Sequence, residues 1–127
     1  MSITVSSTAK MKTRAPRAFL VAAKNAVLGA SYELSLAFVT SAEIRKLNQK
    51  FRGKNTATDI LSFSLSPDSG EIILCMDEVE RQAPLFKRTA PNFLKFLFIH
   101  GLLHLKGYAH GGTMEKQEKK FRQRFNV

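Results

Sequence analysis

The run from Pro91 to Lys106 constrains this chain most, because its apolar residues leave a helix no broad polar face. Phe93, Leu94, Phe96, Leu97, Phe98, Leu102, Leu103 and Leu105 spread nearly all the way round a helix of that length. A helix of this kind is buried, and other elements must cover it from several sides. In a chain of 127 residues, covering it occupies most of the remaining sequence, which predicts one domain with this helix at its centre.

Covering elements are legible on both sides of it. Ala15 to Leu28 reads as a helix: Pro16 suits the first position, Phe19, Leu20, Ala23 and Val27 share a face, and Gly29 stands where it stops. Tyr32 to Thr40 alternates Tyr32, Leu34, Leu36 and Phe38 with Glu33, Ser35, Ala37 and Val39, the period of a strand. Thr40 and Glu43 have the spacing of a capping box for a helix carrying Ile44, Leu47 and Phe51, which Gly53 ends. Thr58 to Leu65 is a second strand, Pro67 to Gly70 a turn, and Glu71 to Met76 a buried strand at hairpin distance. Asp77 is placed to cap a short helix to about Ala83, where Pro84 interrupts. Gly107 terminates the central helix, and Thr113 is placed to cap a last one supported by the pairs Glu115/Lys119 and Glu118/Arg122. The expected fold class is α+β: one domain over 1–127, a small mixed β-sheet packed with helices, with residues 1–12 as a loose tail.

Charge narrows the partners. Twenty Lys and Arg against ten acids leave +10 at pH 7, which attracts polyanions, nucleic acid first among them. The plainer alternative is a soluble basic protein with no such partner. Cys75 is the single cysteine, excluding an intramolecular disulfide and a cysteine zinc cluster. No apolar run approaches the roughly 20 residues of a membrane span. A reducing, aqueous compartment fits, and the cytoplasm is expected. An organelle is the alternative, because the first acid is Glu33 and Lys10, Lys12, Arg14, Arg17 and Lys24 precede it among serines and threonines, as in a transit peptide. Reading that stretch as a helix of the fold is preferred, since removing it would strip a wall from the core.

The chain's three histidines, His100, His104 and His110, fall within eleven residues. Four residues on a helix give about 6 Å of rise and roughly 40° of rotation, so His100 and His104 project together. Gly107 lets the chain turn back and bring His110 toward the same point. Three neutral nitrogen donors with an open fourth position describe a catalytic zinc site, one ion per chain, able to lower the pKa of water toward ~7. Imidazoles add no negative charge, so the ion keeps its attraction for a phosphodiester. Three histidines with no ligand role are the alternative. The spacing also resembles the zincin-like metal signature of metzincin peptidases, with one departure. Those enzymes carry the general-base Glu after the first histidine, where this chain has Gly101.

The run HGLLHLKGYAH resembles the HGxLHLxGYxH signature of the YbeY-type endoribonucleases, which are rRNA maturation factors. A second block agrees: Leu47-Asn48-Gln49-Lys50-Phe51-Arg52 through Thr58-Asp59-Ile60-Leu61-Ser62-Phe63 is similar to the family's LNxxYRxxxxxTDVLSF. Gly70-Glu71-Ile72-Ile73 and Arg81-Gln82-Ala83 match further positions. The resemblance spans residues 15 to 125 or so. It implies a zinc-dependent endoribonuclease for single-stranded RNA, acting on rRNA of the small ribosomal subunit, including 3′ end maturation, and in ribosome quality control. It places metal binding on His100, His104 and His110 and a catalytic role on Arg52. Ala109 departs from the family's usual Asp before the third histidine, and Ser64 from its usual Pro.

By residue type alone Arg52 reads as a solvated surface arginine; with the resemblance it is expected to hold the scissile phosphate, and Lys54 to add to the same RNA-binding field. Asp59 either accepts a hydrogen bond from a histidine ligand or fixes its own loop, the second being preferred. Tyr108 is expected to pack and Cys75 to sit in the core. The basic residues of the two ends could form an RNA-guiding surface. Two rival functions remain: an RNA-binding ribosome assembly factor with a structural metal, and a metal hydrolase of another substrate class.

Overall fold

The computed structural model describes residues 3–8 and 17–127. Its elements are β1 (Ile3–Ser7), α1 (Arg17–Leu28), β2 (Glu33–Phe38), α2 (Ser41–Arg52), β3 (Ile60–Ser66), β4 (Ser69–Leu74), α3 (Met76–Gln82), a 3-10 turn (Ala83–Phe86), α4 (Ala90–Lys106) and α5 (Gly112–Phe125). The four strands form one mixed sheet in the order β1-β2-β4-β3. Strand β2 lies parallel to β1 and to β4, while β3 runs antiparallel to β4 as an edge strand.

Alternation along the strands divides the interior in two. Leu34, Leu36 and Phe38 of β2, in register with Gly70, Ile72 and Leu74 of β4, face α1, α4 and α5 and form the larger core. Ala37 and Ile73, one residue out of phase, face α2 with Val39, Ile44, Leu61 and Cys75 in a smaller one. Helix α4 buries Phe93, Leu94, Leu97, Phe98, Ile99, Gly101, Leu102 and Leu103, as its apolar circumference requires.

Local signals act largely as anticipated. Thr40 and Glu43 close a capping box, and the Thr8 hydroxyl donates to Glu43 Oε1 at 2.8 Å, tying the end of β1 to the start of α2. Gly53 and Gly107 end α2 and α4 in the left-handed conformation. Leu20, Ala23 and Val27 are buried on α1, and Phe19 packs on Phe98 and Phe125. Ala15 and Pro16 lie outside the described residues.

Four expectations are corrected. Ile3–Ser7 is not loose tail but the parallel edge strand β1, with Ile3 in the core; residues 9–12 lie outside the described residues. One buried side chain in five leaves little hydrophobic pattern to read. Gly70 belongs to β4 rather than to the turn. Asp77 does not cap α3: the helix begins directly after β4 with Cys75 at the cap position, leaving Asp77 in the first turn, where its charge favours the helix dipole. Thr113 lies within the first turn of α5, which starts at Gly112.

Lys24 also has a different place from the one its charge suggests. It is fully buried, and its Nζ donates to the carbonyls of Gly29, Ala30 and Tyr32 at 2.9, 3.1 and 2.8 Å. Burial holds its pKa below the usual lysine value, against the opposing pull of Glu33. The ammonium therefore satisfies the carbonyls after α1 and does not belong to a basic surface.

Candidate metal centre

His100 and His104 stand half-buried on the last turns of α4, and Gly107, at φ 109°, turns the chain so that the exposed His110 faces them. One ring nitrogen from each of the three lies within 4.8 Å of the others. The Nε2 atoms of His100 and His104 are 3.0 Å apart. Two nitrogens on one tetrahedral ion at 2.0–2.1 Å would be separated by about 3.3 Å, so the pair is close to chelating geometry.

The outer nitrogens are engaged elsewhere. Nδ1 of His104 pairs with the Tyr108 carbonyl at 3.2 Å, and Nδ1 of His100 with Glu118 Oε1 at 3.3 Å. Placing the ring proton on Nδ1 in both makes each interaction a donation and leaves both Nε2 lone pairs facing inward. Burial, then the neighbouring imidazoles, hold His104 below the ordinary histidine pKa, which favours its neutral, ligating form. These residues fit a metal ion: three imidazole donors converge, and two of them are oriented from behind.

Glu118 escapes a reading by spacing. Sequence shows it as the partner of Arg122, and that pair exists at 3.4 Å. The return of α5 across α4 is what brings its other oxygen to His100. Ala109, where a carboxylate would be expected from the family pattern, is exposed. Tyr108 packs on the larger core and contributes its carbonyl, while Cys75 is buried in the smaller core.

Gly101 has a packing reason. A Cβ there would lie 2.9 Å from Ile60 Cδ1, 3.0 Å from Ser62 Oγ and 3.2 Å from Ile72 Cδ1, so α4 meets the sheet backbone-first at this point. A glutamate, as in the peptidases, would point into β3 rather than at the ion.

A cavity of about 520 Å³ opens between the histidines and β3, lined by Arg52, Thr58 to Phe63, His100, His104 and His110. The tertiary fold thus brings Arg52, from the end of α2, to the same cavity as the histidines. Lys54 lies beyond Gly53 on the exposed loop and is not among the lining residues. Asp59 accepts from the Thr58 hydroxyl at 3.5 Å, and its carbonyl accepts from the Cys75 N–H at 3.0 Å, so it fixes the entry to β3. Burial raises its carboxyl above the usual range, opposed by hydrogen bonds and by His100.

Residues 2–126 match the family model described as endoribonuclease YbeY. The chain belongs to the YbeY family. It is 36% identical over 103 residues to the endoribonuclease YbeY of Alkaliphilus metalliredigens, covering 72% of this chain and 66% of that one. The Bdellovibrio bacteriovorus YbeY is 45% identical over 80 residues, 61% of this chain and 53% of the relative. The Limosilactobacillus fermentum YbeY is 33% identical over 121 residues, 82% and 77% of the two chains. Several of the matched YbeY relatives are thus spanned over about two thirds of their length or less. Among solved structures, the solution structure of TM1509 from Thermotoga maritima aligns with a TM-score of 0.64 at 30% identity, over 94% of this chain and 85% of that one. The YbeY resemblance, the α+β architecture and the clustered histidines agree with one another.

Proposed function

We propose that this chain is a zinc-dependent endoribonuclease that cuts single-stranded rRNA, including at the 3′ end of the small-subunit rRNA, and works on the small ribosomal subunit in the cytoplasm. The observation that carries the reading is the convergence of three imidazole nitrogens at a cavity that Arg52 also lines. Membership of a family of endoribonucleases supports the reaction type. An organelle is the alternative place of work, from the basic N-terminus without acids before Glu33.

The chemistry a bound zinc ion supplies is Lewis-acid charge at the phosphate and water acidified toward a pKa of ~7. His100, His104 and His110 provide the donors, and Glu118 and the Tyr108 carbonyl hold two of the rings in orientation. Arg52 offers a planar pair of N–H donors to the non-bridging oxygens of the scissile phosphate, where negative charge grows in the transition state. The net charge of +10 draws the polyanion in, so RNA affinity should fall steadily with salt.

The test is incubation of metal-verified protein with single-stranded rRNA fragments, followed by identification of the new ends. Internal cleavage that disappears on chelation and returns with zinc is expected; a 5′-phosphate product marks attack by water and a 2′,3′-cyclic phosphate marks attack by the 2′-hydroxyl. RNA bound but never cut by metal-loaded protein would make the chain a binding factor instead.

A further inference from the structure

Phe51 is an aromatic side chain whose exposure the core does not explain. It is 54% exposed at the last turn of α2, directly before Arg52. Its ring lies against that of Phe63, centroids 5.1 Å apart at 58°. Phe63 and Arg52 both line the histidine cavity, so Phe51 adjoins two of its lining residues, one by ring contact and one in the chain. Of the other exposed large apolar residues among those described, Val5 lies on β1, at the far edge of the sheet from β3, and Leu85 and Phe86 lie on the 3-10 turn. Leu65, the remaining one, sits at the bulge of β3 and carries no ring. Around Phe51 the charge is positive: Lys50 Nζ lies over its ring, 5.1 Å from the centroid, on a flexible stem that an incoming base would displace, and Arg52 is next to it in the chain.

An exposed aromatic side chain packed on a second ring, beside cations, is how proteins bind unpaired bases: phosphates on the cations, a base on the ring. We propose that Phe51, supported by Phe63, is a stacking platform for one unpaired nucleobase adjacent to the phosphate held by Arg52. The inference rests on the RNA-cleaving reading and deepens it by naming residues that select single strands. In a duplex each base is stacked and paired and cannot turn onto the ring without opening the helix. Phe63 positions Phe51, and Phe51 touches the base.

The experiment compares wild type with Phe51→Ala, Phe51→Leu and Phe51→Tyr on a short single-stranded RNA, an RNA duplex, and single strands carrying one abasic position in turn. Affinity for uncleavable 2′-modified strands and cleavage of natural ones are both measured. Loss of a stacking face weakens binding by about 5- to 100-fold, so Phe51→Ala and Phe51→Leu should raise Kd and KM by that factor with little change in kcat. Phe51→Tyr should restore wild-type values, duplex binding should not respond, and one abasic position should abolish the difference between wild type and Phe51→Ala. Unchanged melting temperature and metal content show that the fold is intact. Wild type that cuts RNA while Phe51→Ala binds and cuts it equally well overturns the platform alone. A loss that persists against every abasic strand also overturns it. Wild type that neither binds nor cuts single-stranded RNA overturns the platform and the RNA reading together.

Discussion

The histidines stand on the side of the sheet that carries the larger core, whereas Arg52 ends the helix that covers the opposite side. His100 and His104 share one helix, α4, which is buried on nearly every side, and their outer nitrogens meet Glu118 and the Tyr108 carbonyl. Arg52 is exposed at the end of α2, where only Ile44 and Asn48 are buried along the helix. The two halves meet at β3, whose residues face both cores: Ile60 joins the larger and Leu61 and Phe63 the smaller. The histidine geometry is thus set by a helix buried on most sides, while the position of Arg52 depends on how α2 sits against a modest cluster. Damage to one half should therefore leave the other readable.

The largest expected effect comes from the histidine half. His100→Ala or His104→Ala should reduce bound metal and RNA cleavage to background, with elemental analysis and product assays on the same preparation. Retained stoichiometric metal would separate that histidine from the ligand set. Next is Arg52→Ala, expected to lower cleavage by ~10²-fold or more while metal content and melting temperature stay near wild type. Arg52→Lys should recover only part, since an ammonium lacks the two-pronged geometry. Metal loss in Arg52→Ala would break the independence of the halves.

Glu118→Gln tests the support behind His100 and should lower metal affinity or cleavage by roughly 10- to 100-fold. A smaller structural effect sharpens the contrast: Ile44→Ala, in the smaller core, should cost about 2–5 kcal/mol of stability. Its cleavage should decline with disorder of α2, yet metal titration of the folded protein should remain close to wild type.

The gentlest effect is that of pH. His104 titrates lower in the fold than in the unfolded chain, so the unfolded chain takes up the proton first as acid is added. The contribution of His104 to the stability of metal-free protein is therefore complete above the unfolded value of ~6.5 and declines as pH falls below it. Metal affinity should decline in the same direction, because a ligating imidazole must be neutral. Urea titrations between pH 7.5 and 5.5 check the first, and metal competition checks the second. Because the raised Asp59 carboxyl pulls the other way, the readout is the difference between wild type and His104→Gln, and an identical pH slope in the two would contradict the burial of a neutral His104.

Much of this molecule was legible in local pattern, where the physical cause is itself local. The i, i+4 spacing of His100 and His104 and the turn at Gly107 are properties of a helix and its end, as is the capping box of Thr40 and Glu43. The apolar circumference of 91–106 announced its burial for the same reason. Strand β1 was hidden because an edge strand with a single buried residue has almost no hydrophobic period. Lys24 counts as surface charge until the three carbonyls after α1 are seen converging on it. Gly101 shows only a missing carboxylate in sequence; in the fold it is the place where α4 touches the sheet. Residue type and spacing alone determined the central helix and the pairing of His100 with His104 on one of its faces, because helical geometry sets that distance. Only tertiary packing decided that Glu118 stands behind His100 and that Arg52 lines the same cavity as the histidines. These residues are 18 and 48 positions apart from His100, and no local rule sets where a returning helix or a sheet edge will lie.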